Sequence, residues 1–183
     1  MPASLKYARI ERERRFLVDR LPRGLDVARA RRIHDRYIDG TRLRLRELRD
    51  TYGHSEYKLT QKIPARGSRA QRGFITTMYL HEDEFRVFAV LPARTLTKIR
   101  TSLPPFGIDV FEGDLNGLVL AEAEFEPEEA VESLAIPSPG WREVTEDERF
   151  TGGRLVGASR EDLRAWAAEY GINLAHVESS ADE

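Results

Sequence analysis

Four glutamates occur as two pairs with the same spacing, Glu11 with Glu13 and Glu122 with Glu124. On a β-strand, residues two apart project from one face, with Cα atoms roughly 6–7 Å apart. Carboxylates at that spacing repel each other unless a cation lies between them, and their oxygens suit Mg²⁺ or Mn²⁺. If the two strands face each other, the four carboxylates would surround one or two metal ions, and Asp109 is a weaker candidate for the same region.

Both pairs also have an interpretation that needs no metal. Glu11 and Glu13 stand in the run ERERR, where charges of both signs alternate as they do on a solvated edge strand. Glu122 and Glu124 could instead form ion pairs with basic strands elsewhere in the chain. Spacing alone leaves these alternatives open.

Basic side chains share strand faces in three other segments. The sets are Arg42, Arg44 and Arg46; Lys58 and Lys62, with Thr60 between them; and Lys98 and Arg100. Like charges on adjacent strands are destabilising unless they are solvated or paired. An anion with several phosphates would neutralise them, and arginine binds phosphate oxygens through two parallel hydrogen bonds. Because no glycine-rich loop opens a helix, phosphate recognition would rest on side chains.

The charges are divided between the two parts of the chain. Residues 1–100 hold 24 Lys and Arg against 12 Asp and Glu, whereas residues 101–183 hold 5 against 19. Either the two parts simply attract each other, or basic side chains meet an anion where carboxylates hold its metal. A nucleic-acid partner is disfavoured because the net charge of the whole chain is −2.

Other chemistry is disfavoured by residue type. The absence of cysteine excludes disulfides, thiol catalysis and thiolate metal sites. The four histidines, at positions 34, 54, 81 and 176, lack the spacing of metal ligands, and no G-x-S-x-G nucleophile motif occurs. There is no apolar run of membrane-spanning length and no signal-peptide pattern, which predicts a cytoplasmic protein without membrane contact.

The elements that must position these residues are mainly strands. Alternation at period two predicts strands over 10–18, 32–38, 41–48, 57–63, 73–79, 95–101, 108–111 and 117–126. Helices are predicted over 81–90, 127–134 and 159–170, the last capped by Ser159 with Asp162 at its third position. Eight strands with short connections favour a closed or nearly closed antiparallel barrel, an α+β fold that is mainly β. Alternation does not decide whether the charged faces point inward.

Several of these segments resemble, in order, the motifs of the CYTH (triphosphate tunnel metalloenzyme) family. IERERRFLV from Ile10 resembles its E-x-E-x-K motif followed by F-L-V. Its other strands are matched by RLRLREL, YKLTQKI, the KIR of 98–100, DVFEGDLNGLVLAEAEFE and WREVTEDERF. The likeness covers about residues 6–156. It implies a domain over 1–156, a C-terminal helix packing on it over 157–174, and a polar tail over 175–183.

The resemblance implies an eight-stranded antiparallel closed tunnel barrel with a few flanking helices, which binds triphosphates with Mg²⁺ or Mn²⁺. Family activities are hydrolysis of inorganic tripolyphosphate, thiamine triphosphatase activity and adenylate cyclisation; related eukaryotic members are RNA triphosphatases. By position, the metal ligands would be Glu11, Glu13, Glu122 and Glu124, with Arg15 and Glu13 catalytic. The phosphate-binding residues would be Arg42, Arg44, Lys62, Lys98 and Arg100, followed by Arg46, Lys58, Arg72 and Arg149.

The chain departs from the family pattern at two places. Arg15 replaces the motif lysine, and arginine stays protonated, so it can orient groups but cannot act as a base. Phe74, Thr76 and Met78 stand where many members carry glutamates, which makes that side of the tunnel less acidic. We expect metal-dependent hydrolysis of inorganic tripolyphosphate; the alternatives are an adenylate cyclase and a non-catalytic binder of polyphosphate or nucleotide. Nucleoside and thiamine triphosphates are other candidate ligands, and a homodimer is left open.

Overall fold

Strands dominate the computed structural model, which describes residues 6–64, 71–125, 134–136 and 138–174. The strands are β1 (Arg9–Leu17), β2 (Arg31–Ile38), β3 (Leu43–Asp50), β4 (Ser55–Pro64), β5 (Gln71–Leu80), β6 (Ala93–Leu103), β7 (Phe106–Phe111), β8 (Val119–Glu124) and β9 (Arg142–Glu143). The α-helices are α1 (Glu82–Ala89), α2 (Gly152–Leu155) and α3 (Arg160–Glu169). All eight predicted strands are present and β9 is an addition. The helix predicted for 127–134 falls on residues 127–133, outside the described part.

The sheet closes on itself. Its strand order is β5-β4-β3-β2-β6-β7-β8-β1, and β1 pairs again with β5, every pair being antiparallel. The predicted eight-stranded closed barrel is therefore confirmed. β1 changes partner along its length: its first residues pair with β5, the register shifts between Glu11 and Arg12, and Phe16 and Leu17 pair with β9.

The charged faces of the strands point into the barrel. Lys62 on β4 donates a hydrogen bond to Glu11 on β1 over 2.6 Å, although β5 lies between these two strands in the sheet. Such a contact has to cross the interior. Parts of the outer faces are apolar and covered: Leu45 and Leu59 pack against α1, and a second cluster around Phe16 packs against Trp141.

One half of the barrel interior is apolar. Leu17, Leu96, Phe111 and Leu120 each stand two residues from a charged residue on the same strand face, respectively Arg15, Lys98, Asp109 and Glu122. They form one cluster with residues of the C-terminal segment, Val144, Phe150, Leu155, Leu163 and Ala167. We call this the apolar half of the interior, and the part that contains the four charged residues the charged half.

The C-terminal segment that completes the apolar half is fixed by local signals. The Ser159 side chain accepts a hydrogen bond from the backbone N–H of Asp162, whose carboxylate accepts one from the backbone of Ser159. This reciprocal capping starts α3 where the sequence predicts it and directs Leu163 and Ala167 at the barrel. No helix in the described residues has the length and apolar character needed to span a bilayer.

Candidate functional site

Arg15 joins two carboxylates inside the barrel. Its Nε donates to Glu122 Oε1 over 3.0 Å, and its Nη2 donates to Glu13. The strand register explains the arrangement, since Arg15 on β1 lies opposite Glu122 on β8 while Glu13 lies opposite Glu124. Arg15 and Glu13 are both buried, whereas Glu124 is exposed. The predicted catalytic residues therefore belong to one hydrogen-bonded group.

Asp109 gathers the two cations of β6. Its carboxylate is fully buried and accepts hydrogen bonds from Lys98 Nζ over 2.5 Å and from Arg100 Nε and Nη2 over 2.6 Å each. Arg100 Nη2 also donates to Glu122, which links this group to Arg15. Because Lys98 and Arg100 bond to both oxygens of Asp109, this residue acts as their counter-ion in the structure.

Asp35 provides a second internal counter-ion that the sequence reading missed. It is 1% exposed and accepts two hydrogen bonds of 2.6 Å from Arg46, while Arg44 Nε lies 3.7 Å from its Oδ1. Burial and the negative charge of Asp35 raise the pKa of neighbouring Tyr37 to about 12. The sequence could have indicated this pair. Aspartate is disfavoured in strands, so an aspartate at the centre of a predicted strand is expected to form an ion pair.

The remaining predicted cations of β3 and β4 are less buried. Lys62 pairs with Glu11, and its backbone N–H donates to the carbonyl of Arg42, which is exposed just before β3. Lys58 pairs with Glu56 over 2.8 Å and lies over the Tyr79 ring. These residues mark the more accessible part of the charged half.

The directions in which the pKa values of the interior groups are shifted indicate which of these groups are ionised. Burial raises the pKa of Glu13 despite the presence of Arg15, and burial lowers the pKa of Lys98 despite Asp109. For Glu122, burial is outweighed by Lys98, Arg100 and Arg15, so its pKa lies well below the ordinary value. For Asp35, Arg46 and Arg44 likewise overcome burial and lower the pKa. The charged half thus keeps Glu122 and Asp35 ionised.

Two guanidinium N–H groups in the charged half have no acceptor among the described residues. They are Arg15 Nη1 and Arg44 Nε, and both atoms are buried. A buried donor left without a partner costs about 1–3 kcal/mol. An anionic ligand in the barrel would supply the missing acceptors.

The predicted metal ligands are only partly brought together. Within the described residues, no group of three or more acidic or histidine side chains is close enough to hold a metal ion. The two glutamate strands, β1 and β8, are antiparallel neighbours in the sheet. Glu13 and Glu124 nevertheless lie directly opposite, a destabilising pair of like charges, and Glu124 makes no ion pair with the described residues. Their oxygens fit a hard divalent cation.

Two predicted phosphate-binding residues are not seen in the charged half. Arg149 bonds to Asp147 and to Glu169 of α3 and lies over the Trp166 ring, all in the C-terminal segment. Arg72 belongs to β5, but its side chain lies outside the described part of the structure.

The tunnel face of β5 differs from the one predicted. Thr77 exchanges a hydrogen bond of 3.0 Å with buried Thr60, and Ile75 lies opposite Lys62. The tunnel face therefore carries Ile75 and Thr77, and the assignment of Phe74, Thr76 and Met78 to it is wrong. Both faces of this strand are rich in apolar and Thr residues, so alternation does not predict which face points into the barrel. β5 has no acidic residue on either face.

Comparison with known proteins finds similarity to an inorganic triphosphatase. The chain is 32% identical over 155 residues to an inorganic triphosphatase of Nitrosomonas europaea, covering 80% of this chain and 96% of the relative. Two solved structures of NE1496, described as a hypothetical protein and as an inorganic triphosphatase, are each 30% identical, with TM-scores of 0.52 and 0.53. They cover 81% of this chain and 99% and 95% of theirs. No protein-family model matches the chain.

Proposed function

Because the chain belongs to the CYTH (triphosphate tunnel metalloenzyme) family, we propose that it hydrolyses a phosphoanhydride bond of a triphosphate in the charged half of its barrel. Inorganic tripolyphosphate is the proposed substrate, as in the name of the Nitrosomonas europaea relative. The reaction requires that the phosphate chain of the substrate is held extended and that a water is positioned in line with the leaving pyrophosphate.

The observation that carries this proposal is the pair of unsatisfied donors, Arg15 Nη1 and Arg44 Nε. They belong to strands on different sides of the barrel interior, β1 and β3, which are not neighbours in the sheet. A ligand that satisfies both therefore has to extend across the interior and present acceptors at each end. A linear triphosphate has this form.

The cations of the charged half are suited to bind that ligand. Arg44, Arg46, Lys62, Lys98 and Arg100 share the interior, with Arg42 and Lys58 at its more accessible part. Asp35 and Asp109 hold Arg46, Lys98 and Arg100 in fixed positions before the substrate arrives. Such preorganised charges stabilise a phosphoryl-transfer transition state without having to reorient during the reaction.

Glu13 and Glu124, with Glu11 and Glu122 beside them, are the proposed ligands of a divalent cation, Mg²⁺ or Mn²⁺. When bound, that ion would neutralise charge on the phosphate oxygens. The fit rests on hard oxygen donors and on Glu124, which lies opposite Glu13 and makes no ion pair with the described residues.

Arg15 has a positioning role in this proposal. It bridges Glu13 and Glu122, and the neighbouring carboxylates raise its pKa even though burial opposes this. A guanidinium that stays protonated cannot remove a proton from water. Its free Nη1 donates to the substrate, while a Glu13 oxygen that Arg15 leaves open accepts a hydrogen bond from the attacking water.

One set of assays tests the function. The purified protein is incubated with tripolyphosphate, ATP or thiamine triphosphate and with Mg²⁺ or Mn²⁺, and phosphate, pyrophosphate and cyclic AMP are quantified. We expect phosphate and pyrophosphate in equal amounts from tripolyphosphate, abolished by a chelator and restored by the added ion. Cyclic AMP without phosphate release would replace the hydrolase by a cyclase, and tight metal-dependent binding without turnover would make the protein a binder. A cytoplasmic location and a homodimer stay predictions.

A further inference from the structure

A basic pocket adjoins the charged half at the rim of the barrel. It is open to solvent and has a volume of about 440 Å³ between the segment before β2 and the β6–β7 hairpin, and its lining includes Arg29, Arg31 and Arg100. Arg100 lines the pocket and also belongs to the charged half, since its guanidinium bonds to Asp109 and Glu122 inside the barrel. Gly107, also in the lining, has no side chain that could separate Arg100 from the pocket.

Arg31 has no counter-ion in the described part of the chain. It stands on the same face of β2 as buried Asp35 and lies directly opposite Arg100 on β6, a like-charge pair. Its neighbour on the other side, Asp50, accepts hydrogen bonds from Tyr52 and His54 in its own turn. Arg29 has only Asp26, whose nearest oxygen is 3.6 Å from its Nε. The pocket therefore presents positive charge, and of its three arginines Arg31 is the one without an ion pair to the described residues.

The lining favours a phosphate group over a nucleobase. Its one aromatic residue, Phe106, is 4% exposed and its ring packs edge-on against Phe16 and Trp141, so no ring face is free for stacking. The described lining contains no carboxylate or amide side chain that could read a base edge. Ser102 and the two exposed arginines are instead suited to phosphate oxygens.

We propose that this rim pocket binds a phosphate group of linear polyphosphates longer than three phosphates, while the preceding phosphates occupy the charged half. The proposal rests on the proposed function, because it extends the same anion path. Arg31 and Arg29 make the additional contacts, and Arg100 joins the two sites. In this proposal three phosphates fill the charged half, so the protein would bind longer polyphosphates more tightly through the additional contacts.

The test compares two substrates in matched variants. Binding of tripolyphosphate and of a medium-length linear polyphosphate is measured by calorimetry, with ATP as a comparison ligand, and KM and kcat are measured for the two polyanions. In the Arg29→Gln, Arg31→Gln double variant, we expect the ratio of the polyphosphate Kd to the tripolyphosphate Kd to rise about tenfold, since two charge-assisted contacts are lost. The control is Arg32→Gln, whose side chain is 65% exposed and pairs with Glu112 over 3.0 Å, on the other face of β2.

The outcomes separate this proposal from the function. An unchanged ratio, or equal weakening of both ligands, would overturn the rim pocket. Weaker binding of ATP without weaker binding of polyphosphate would assign the pocket to a nucleoside and also overturn it. A wild-type protein that binds both polyanions but hydrolyses neither would contradict the proposed hydrolysis, while the calorimetric ratio would still decide the rim pocket.

Discussion

The two halves of the barrel interior are built on the same strands with opposite chemistry. Along β8, Leu120 and Glu122 share one face; Leu120 packs against the C-terminal segment, and Glu122 bonds to Arg15 and Arg100. The same change from apolar to charged occurs along β1, β6 and β7. A barrel of this size could be filled with apolar side chains throughout. The charged half therefore lacks the stabilisation by buried apolar side chains that the apolar half has.

Burying charges is costly even when they are paired, and removing one partner of a buried pair costs more than exchanging the pair for apolar residues. The apolar half should thus determine stability, while the charged half should determine binding and turnover and make the fold sensitive to the loss of any counter-ion. The predictions below separate these roles.

The largest effect on stability is expected from Asp35→Asn. It leaves Arg46 and Arg44 buried without their carboxylate, and we expect a loss of about 3–5 kcal/mol in the free energy of unfolding, measured with denaturant at neutral pH. Asp39→Asn is the control, because Asp39 is half-exposed and 3.7 Å from Arg94. Equal stabilities of the two variants would contradict the counter-ion role.

Asp35→Asn should also change the response to acid. The pKa of Asp35 is lowered in the folded state, so its stabilisation is present above the ordinary value of 3.8 and is lost as pH falls toward the folded value. The wild type should therefore lose more stability than the variant as pH falls below 3.8. A parallel decline of the two proteins would argue against ionised Asp35.

The apolar half is tested by Leu120→Ala. Leu120 is 1% exposed, and its truncation should lower the free energy of unfolding by about 2–5 kcal/mol. At a temperature where the variant is folded, its kcat for tripolyphosphate should stay within a few-fold of the wild type. A loss of turnover as severe as that of the next variant would show that the two halves are not functionally separate.

Two residues further on the same strand, Glu122→Gln should act on activity. It removes the negative charge that holds Arg15 and Arg100 and one proposed metal ligand, so we expect kcat/KM to fall about 100-fold. Phosphate release is measured on protein whose fold is checked by circular dichroism. Glu112→Gln, at an exposed pair with Arg32, is the matched control. Retained activity would remove Glu122 from the site.

The smallest effect is expected where the C-terminal segment touches Tyr37. A Cβ at Gly152 would overlap the Tyr37 hydroxyl, whereas one at Gly153 would lie 3.8 Å from the ring, an ordinary contact. Gly152→Ala should therefore cost about 1–3 kcal/mol and Gly153→Ala little. Thermal unfolding of both variants checks this, and the reverse order would contradict the packing.

The positions of the strands and the family could be predicted from the sequence because each strand has a strong local pattern. It identified Arg15, Glu122 and Lys98 for the same reason, since E-x-E and K-x-R spacings are local. It did not find Asp35 or Arg31, whose importance depends on which strands become neighbours. It also placed Arg149 with the phosphate-binding residues, although its partners in the structure are Asp147 and Glu169. These outcomes depend on contacts between distant parts of the chain, which periodicity does not encode.

The change of partner along β1 has a consequence for how the protein is made. β1 precedes the other described strands in the chain, yet it pairs with β5, β8 and β9, so its last partners follow it by more than 100 residues. The side chains of Arg15 and Glu13 therefore remain charged and hydrated until Glu122 has been synthesised. Contacts this distant in sequence make folding slow, and the site forms only when the barrel closes. A chain interrupted before β8 therefore lacks Glu122 and cannot form the site.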